Sequence, residues 1–409
     1  MKICLLTYRG NMFCGGQGVY IYNLSREFQR LGHEVHVVSG PPFPRIPEGV
    51  TLHKLKSHSV LVSRHGGSNG FGPIHDTVDL FEFAATLMGV YAEPFTFSLR
   101  AYSQVKKLNA DIKFDVIHDN QSLGYGLAML KRMRLPLVAT IHHPISIDRA
   151  ADFRQARTPG EMLRREWFYS FYIPMQSFVG RHFDQVITVS QCSARAIAEH
   201  IGVPASRVTV VYNGVDTDLF RNVNGTGREP NSIVFVGNTY DRKKGIIYLL
   251  QALRLIKDEC PVKLTIVDGG APDTTYAESL IREYGLEGQV TIIRRVTADE
   301  LVRRYSDAEI AAVPSLFEGF GFPAAEAMAC EVPVITSRAG ALPELVSDGE
   351  QGILTEPGDA HAIAAAIKRL LKDEGLRRRM GRAGRETVQR RFNWAQAAKQ
   401  TLEVYQQAL

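Results

Sequence analysis

The strongest constraint on what this chain can fold into is an alternation. Short apolar runs rich in β-branched residues are separated by longer segments of helical period. In the first half the runs are Lys2–Tyr8, Glu34–Ser39, Thr51–Leu55, Asp115–His118, Leu137–His142, Gln185–Ser190 and Val208–Tyr212. Helical segments such as Val19–Leu31 and Gln191–His200 lie between them. A strand that stays apolar along its length is buried on both faces, the condition of a parallel sheet covered by helices on each side. The alternation pauses over Thr217–Asn231, where Asn222, Asn224, Gly225, Thr226, Gly227 and Pro230 read as a turn-rich linker. It restarts with Ser232–Val236, Lys263–Val267, Val290–Ile293, Ile310–Val313, Val334–Thr336 and Gly352–Leu354. The expected class is α/β: two Rossmann-like, doubly wound parallel-sheet domains facing a cleft and joined near 215–231. A chain of 409 residues fits two such domains of roughly 200 residues each. No short tandem repeat is present, which excludes a solenoid.

Charge is unevenly spread. Residues 1–190 hold 21 Lys/Arg against 15 Asp/Glu, and the remainder 27 against 28. Ten of the twelve histidines also lie in the first 190 residues. A basic first half suits a phosphorylated acceptor or an anionic lipid surface; an ordinary solvated surface accounts for it as well. The five cysteines (Cys4, Cys14, Cys192, Cys260, Cys330) form no CxxC pair. That spacing argues against a disulfide framework or structural zinc and fits a reducing cytoplasm. The apolar start is too short for a signal peptide and reads as a first buried strand. No run of 18 or more apolar residues exists, so nothing is expected to span a membrane. Ser57–His75, rich in Gly, Ser and His, reads as a mobile surface loop. The aromatic stretches Phe81–Tyr102 and Arg164–His182 are explained by core-facing helices, or by helices turned to a membrane or an acceptor.

The most informative run is Pro314-Ser-Leu-Phe-Glu-Gly-Phe-Gly-Phe-Pro-Ala-Ala-Glu-Ala-Met-Ala-Cys330. It follows a strand ending near Val313. Pro323 suits the first turn of a helix. Gly319 and Gly321 let backbone approach a ligand, and amides at a helix start can hold a diphosphate. Glu318 sits in the loop and Glu326 is expected in the first helical turn. Two carboxylates at that spacing can accept hydrogen bonds from sugar or ribose hydroxyl pairs. The alternative, a capping acid and a surface acid, ignores their place at a strand's C-terminal end, where ligands bind in open α/β sheets.

Glu318-(seven residues)-Glu326 resembles the E-x7-E motif of the retaining GT-B glycosyltransferases, especially family four. Further matches follow in the family's order. Val236-Gly237 through Asp241-Arg-Lys-Lys-Gly245 resembles its donor-phosphate loop. Val211-Tyr-Asn-Gly-Val-Asp216, with Phe220, resembles its interdomain segment. Ala339-Gly-Ala-Leu-Pro-Glu344 and Asp348-Gly-Glu-Gln-Gly352 match its downstream pattern. The helix from Asn393-Trp-Ala resembles its C-terminal helix, which crosses back to the first domain. The resemblance covers essentially the whole chain. It implies an acceptor-binding domain over 1–214 plus a crossover helix over 392–409, and a nucleotide-sugar donor domain over 215–391.

By this resemblance Glu326 holds the donor ribose and Glu318 the transferred sugar. Lys244 neutralises the diphosphate, with Arg242 or Lys243 nearby. Gly319, Phe320, Gly321 and Phe322 give backbone contacts to sugar and phosphate. Gly16, Asn213, Gly237 and Asn238 complete the donor-binding set. The family usually has Arg at the position of Asn238, so one diphosphate clamp is replaced by a neutral side chain. In the first domain Gly15-Gly-Gln-Gly18 resembles the family's glycine-rich loop. Asp115-Val-Ile-His118 and Ala139-Thr-Ile-His-His143 match strands ending in histidine, so His118 and His142 join Glu318 and Lys244 as expected catalytic residues. Many members carry a second His where this chain has Asn120.

The resemblance implies a retaining, metal-independent hexosyltransferase in glycolipid, polysaccharide or small-glycoside synthesis. In the usual account of the family, the acceptor hydroxyl attacks from the leaving phosphate's side and that phosphate takes the proton. No Asp-x-Asp motif suggests a divalent-metal-bound diphosphate and no cofactor lysine context is found, so no metal and no cofactor are expected. The expected partners are a nucleotide-sugar donor and a sugar, glycoside or lipid-linked acceptor, not nucleic acid. The state expected is a monomer or homodimer in the cytoplasm, with room for peripheral contact between the first domain and the inner membrane face. A sugar-nucleotide epimerase, or a non-catalytic sugar-nucleotide-binding subunit on the same fold, is the alternative.

Overall fold

The computed structural model describes every residue except 13–15, 58–73, 154–157, 226, 270–274 and 295. Most of the expected Ser57–His75 loop, and Cys14, Gly15 and Thr226, therefore lie outside the described residues. The chain forms two compact units. One comprises Met1–Val211 and Ala397–Leu409, the other Tyr212–Gln396.

The first unit is built on β1 (Lys2–Thr7), β2 (Glu34–Ser39), β3 (Thr51–Lys54), β4 (Val116–Asn120), β5 (Leu137–Thr140), β6 (Gln185–Thr188) and β7 (Val208–Val210). They form one sheet in the order β3-β2-β1-β4-β5-β6-β7, and every pairing is parallel. The second unit carries β8 (Ser232–Val236), β9 (Lys263–Asp268), β10 (Val290–Arg294), β11 (Ile310–Val313), β12 (Val334–Ser337) and β13 (Gly352–Thr355). Their order is β10-β9-β8-β11-β12-β13, again all parallel. Each expected strand is present, within two or three residues at its ends. The apolar runs explain this: Ile3, Cys4, Leu5 and Leu6 of β1 and Ile310, Ala311 and Ala312 of β11 are almost wholly buried, as strands with helices on both faces must be.

Strand order reverses between β1 and β4 in the first sheet and between β8 and β11 in the second. Those reversals open a crevice at the strands' C-terminal ends, the usual ligand site of a doubly wound sheet. Helix starts are fixed by local capping: Ser190 caps Gln191–His200, and Thr297 with Glu300 forms a reciprocal capping box on Ala298–Asp307.

Two expectations change. Thr217–Asn231 lies inside the second unit rather than hanging between units. Arg228 pins it there, donating to the carbonyls of Tyr305, Ala308, Cys330 and Glu331. The aromatic stretches divide. Tyr91, Phe97 and Tyr172 are buried in the first core, whereas Phe81, Trp167 and Phe178 are exposed. No described helix is long and apolar enough to cross a membrane.

Candidate active site

In the second unit, the loop after β8 and the loop after β11 meet at the strand reversal. Asp241 caps a single 3-10 turn, Arg242–Lys244, by accepting from the Lys243 amide. Gly245 ends that turn with a left-handed φ of 69°, and a Cβ there would sit 2.0 Å from the Pro314 carbonyl oxygen. Only glycine allows this approach, which draws Lys244 against the β11 loop. The Leu316 amide donates to the Lys243 carbonyl at 2.7 Å and locks the two loops together.

Lys244 Nζ then donates to both carboxylate oxygens of Glu318, at 2.8 and 3.0 Å. Ser315 Oγ donates to Glu318 Oε1 at 2.8 Å. Burial works to lower the Lys244 pKa, but the Glu318 carboxylate outweighs it and holds the ammonium above the ordinary lysine value. The side chain of Lys244 keeps a quarter of its exposure, against 9% for Glu318, so the cation faces outward over a buried anion.

Gly321 takes a φ of 107° and opens the helix Phe322–Ala329, with Pro323 in its first turn as expected. Among the described residues, the Phe320, Gly321 and Phe322 amides make no hydrogen bond, so donors at this helix start are free for an anion. Phe320 is buried against Phe322 and Phe392 at ring-centroid separations of 5.2 and 5.8 Å, which fixes the loop. Gly319 lies between Glu318 and Phe320 in the same loop.

Glu326 is the fifth residue of that helix, one place beyond the first turn. It is half-buried, and its Oε2 accepts from the Tyr305 hydroxyl at 3.0 Å. Burial raises its carboxyl to about 7, with the Tyr305 hydrogen bond working the other way. Asn238 shapes the loop after β8: its Oδ1 accepts from the Tyr240 amide at 2.9 Å, an Asx turn. Gly237 precedes it, at the end of β8, donating its amide to the Val267 carbonyl. Arg242 places its guanidinium over the Tyr276 ring at 4.6 Å, and Lys243 lies 3.8 Å from Asp241. Asn213 is buried, with its Oδ1 unpartnered among the described residues. The structure thus gathers Lys244, Glu318 and the Gly319–Phe322 backbone, and holds Glu326 on the helix that follows.

In the first unit, Gly16 has a φ of 74° and precedes the helix Gln17–Arg30 at the C-terminal side of β1. His118 is buried, with Nδ1 2.6 Å from the Tyr405 hydroxyl and Nε2 2.7 Å from Thr140 Oγ1. No ring nitrogen is left for a substrate, which corrects its expected catalytic part: it ties β4 to β5 and to the last helix. His142 is half-buried and differently placed. Its Nε2 lies 2.8 Å from Asn120 Oδ1, and the ring stands edge-on to Tyr20. Burial, then the neighbouring His143, lower its pKa to about 3, so it is neutral near neutral pH.

Four supporting residues carried no sequence signal: Ser315 and Tyr305, which hold the two glutamates, and Gln121 and Tyr20, which frame His142. No group of three His, Cys, Asp or Glu side chains gathers as a metal site among the described residues.

The chain matches the model of "Glycosyltransferase Family 4" over residues 14–219 and that of "Glycosyl transferases group 1" over 216–387. An MMP alpha-(1->4)-mannosyltransferase of Mycolicibacterium hassiacum is 39% identical over 416 residues, spanning 100% of this chain and 98% of that one. The chain belongs to glycosyltransferase family 4. This family 4 glycosyltransferase is also 29% identical to the D-inositol 3-phosphate glycosyltransferase of Corynebacterium aurimucosum, over 99% of its own length and 94% of the relative's. Its fold is GT-B. Sucrose-phosphate synthase of Thermosynechococcus elongatus superposes with a TM-score of 0.78 at 25% identity, covering 100% of this chain and 98% of that one. Anabaena HepE in complex with UDP-glucose superposes at 0.73 with 19% identity and full coverage of both, a likeness of fold alone.

Proposed function

We propose that this glycosyltransferase moves a hexose-type sugar, mannose foremost, from a nucleoside diphosphate sugar to a hydroxyl of a saccharide acceptor, with retention and without a metal ion. The observation that carries this reading is the Lys244–Glu318 pair at the strand reversal of the second sheet. A departing diphosphate gains negative charge as the anomeric C–O bond breaks. A fixed ammonium beside unpaired helix-start amides stabilises that charge at the moment it develops. Glu318, held by Ser315 and Lys244, keeps one lone pair, on Oε2, for a sugar hydroxyl. Glu326 offers its second carboxylate oxygen to the ribose diol. In the retaining step the acceptor oxygen forms its bond to the anomeric carbon on the face the phosphate leaves, and its proton passes to the phosphate oxygen. No side-chain base is then required.

Mannose and a saccharide acceptor enter from the mannosyltransferase relative, similar over the whole chain. The test is a panel of UDP-, GDP- and ADP-sugars, read by thermal stabilisation and by slow hydrolysis. One base and one sugar should stand out, and hydrolysis should persist in EDTA. No stabilisation by any member, or loss in EDTA that Mg2+ restores, would sink the corresponding half of the reading.

A further inference from the structure

At the C-terminal edge of the first sheet, one polar chain links the β1 loop to His142. Its centre is Asn120, the residue standing where the family often has a second histidine. Asn120 is almost wholly buried at the end of β4. Its Nδ2 donates to the Gln17 carbonyl and to Thr7 Oγ1, both at 3.4 Å, and its Oδ1 faces His142 Nε2 at 2.8 Å.

The orientation of the amide follows from its partners. A backbone carbonyl can only accept, so the atom beside Gln17 is the NH2 group. The Thr7 hydroxyl agrees, because its proton is given to the Arg9 carbonyl at 2.7 Å and its oxygen is left to accept. The Asn120 oxygen therefore points at His142. An amide oxygen cannot donate, so the hydrogen between them belongs to His142 Nε2.

The ring has little freedom to escape this assignment. The His142 amide donates to Gln121 Oε1 at 2.6 Å, its carbonyl accepts from Ser193 Oγ at 2.7 Å, and Tyr20 packs edge-on at a centroid separation of 5.1 Å. Gln121 is itself held, with a left-handed φ of 55° and its Nε2 on the His143 carbonyl at 2.8 Å. The other ring nitrogen of His142, Nδ1, has no hydrogen-bond partner among the described residues.

We propose that Asn120 is a positioning residue that holds His142 in the Nε2–H tautomer, leaving Nδ1 as a lone-pair acceptor for a sugar hydroxyl. The inference rests on the transferase reading for the identity of the hydroxyl, but not for the tautomer. A histidine at position 120 could offer His142 either a donor or an acceptor; asparagine in this setting offers only an acceptor. The start of the helix Gln17–Arg30 is coupled to the same ring, because the Gln17 carbonyl orients the amide that orients His142. The titratable and charged groups around His142 leave the neutral form favoured. His143 is paired with Asp148, His118 has both nitrogens bonded, and Asp119 is buried with its carboxylate on Ser122 and Leu123.

Two measurements separate the tautomer from the reaction. In the first, the chain is labelled with 15N-histidine and examined without substrate. His142 should show a protonated Nε2 and an unprotonated Nδ1 throughout the neutral range. A protonated Nδ1, or an even mixture, overturns the proposal whatever the enzyme's activity. In the second, Asn120→Asp and Asn120→Ala are compared with the parent in transfer from whichever donor the panel of UDP-, GDP- and ADP-sugars identifies. Asn120→Asp keeps an acceptor but adds a charge that favours the imidazolium. It should bring a new acid limb into the kcat profile that the parent lacks. Asn120→Ala should mix the tautomers and lower kcat by roughly tenfold while leaving donor KM within about twofold. An Asp variant with the parent's pH profile, or an Ala variant with unchanged kcat, counts against a positioning role even where the spectrum is as expected. If the spectrum and tautomer shifts appear but no donor is turned over, the transferase reading fails and the tautomer assignment stands.

Discussion

The two sheets reverse strand order in the same way, yet the side chains at the two reversals differ in kind. In the second unit a quarter-exposed lysine side chain stands over a buried carboxylate, beside unpaired backbone amides. In the first unit the corresponding groups are neutral: an amide, two imidazoles and hydroxyls, bonded to one another with His142 Nδ1 left over. On the proposed reading one site meets an anion and the other meets hydroxyls. A reaction that expels a diphosphate and consumes an alcohol needs that division, since fixed charge is useful only where charge develops.

Removing the cation should give the largest effect. Lys244→Met should lower kcat/KM by about 10²- to 10³-fold, read in transfer or donor hydrolysis. It also strands the Glu318 carboxylate, so Lys244→Met/Glu318→Gln should recover stability but not rate. A single mutant within a few-fold of the parent would remove the charged half of the comparison. Next comes the neutral half. His118→Phe should cost roughly 1–3 kcal/mol of stability by leaving the buried Tyr405 hydroxyl unpaired and Thr140 with Tyr20 as its remaining partner, with kcat of the folded enzyme little changed. A stable variant with kcat collapsed would restore His118 to catalysis.

A pH experiment is more delicate. Glu326 ionises at about 7, and only its carboxylate can accept from both ribose hydroxyls. Donor KM should therefore fall as pH rises through that value. Tyr305→Phe removes the hydrogen bond that favours the charged form, so the same fall should move to higher pH. A KM flat across this range in the parent would separate Glu326 from ribose binding. The smallest effect is expected at Asn238. Asn238→Arg adds a charge near the diphosphate but gives up the Asx turn on Tyr240, so nucleoside diphosphate should bind only about three- to fivefold tighter. Weaker binding would show that the turn outweighs the missing clamp.

Much of this molecule was legible in its residues. The thirteen strands of the described residues were visible as apolar runs, the central ones most clearly, because burial on both faces leaves no room for polar alternation. The E-x7-E pair and the glycine-rich turn were visible because a helix start and a close backbone approach demand particular residues within a few positions. Chain order alone placed Glu318 after β11 and Lys244 after β8.

The partners were not legible. Lys244 meets Glu318 across 74 residues, Tyr305 meets Glu326 across 21, and His118 meets Tyr405 across 287. Nothing in local spacing encodes such pairs, because they arise only when strand order brings separate loop ends to one edge. His118 and His142 look alike in sequence, each closing a buried strand. Packing alone made one a core tie with both nitrogens filled and left the other with Nδ1 unpartnered among the described residues. Sequence periodicity set the elements because burial acts residue by residue along the chain. Tertiary structure set the chemistry because a hydrogen bond depends on what stands opposite.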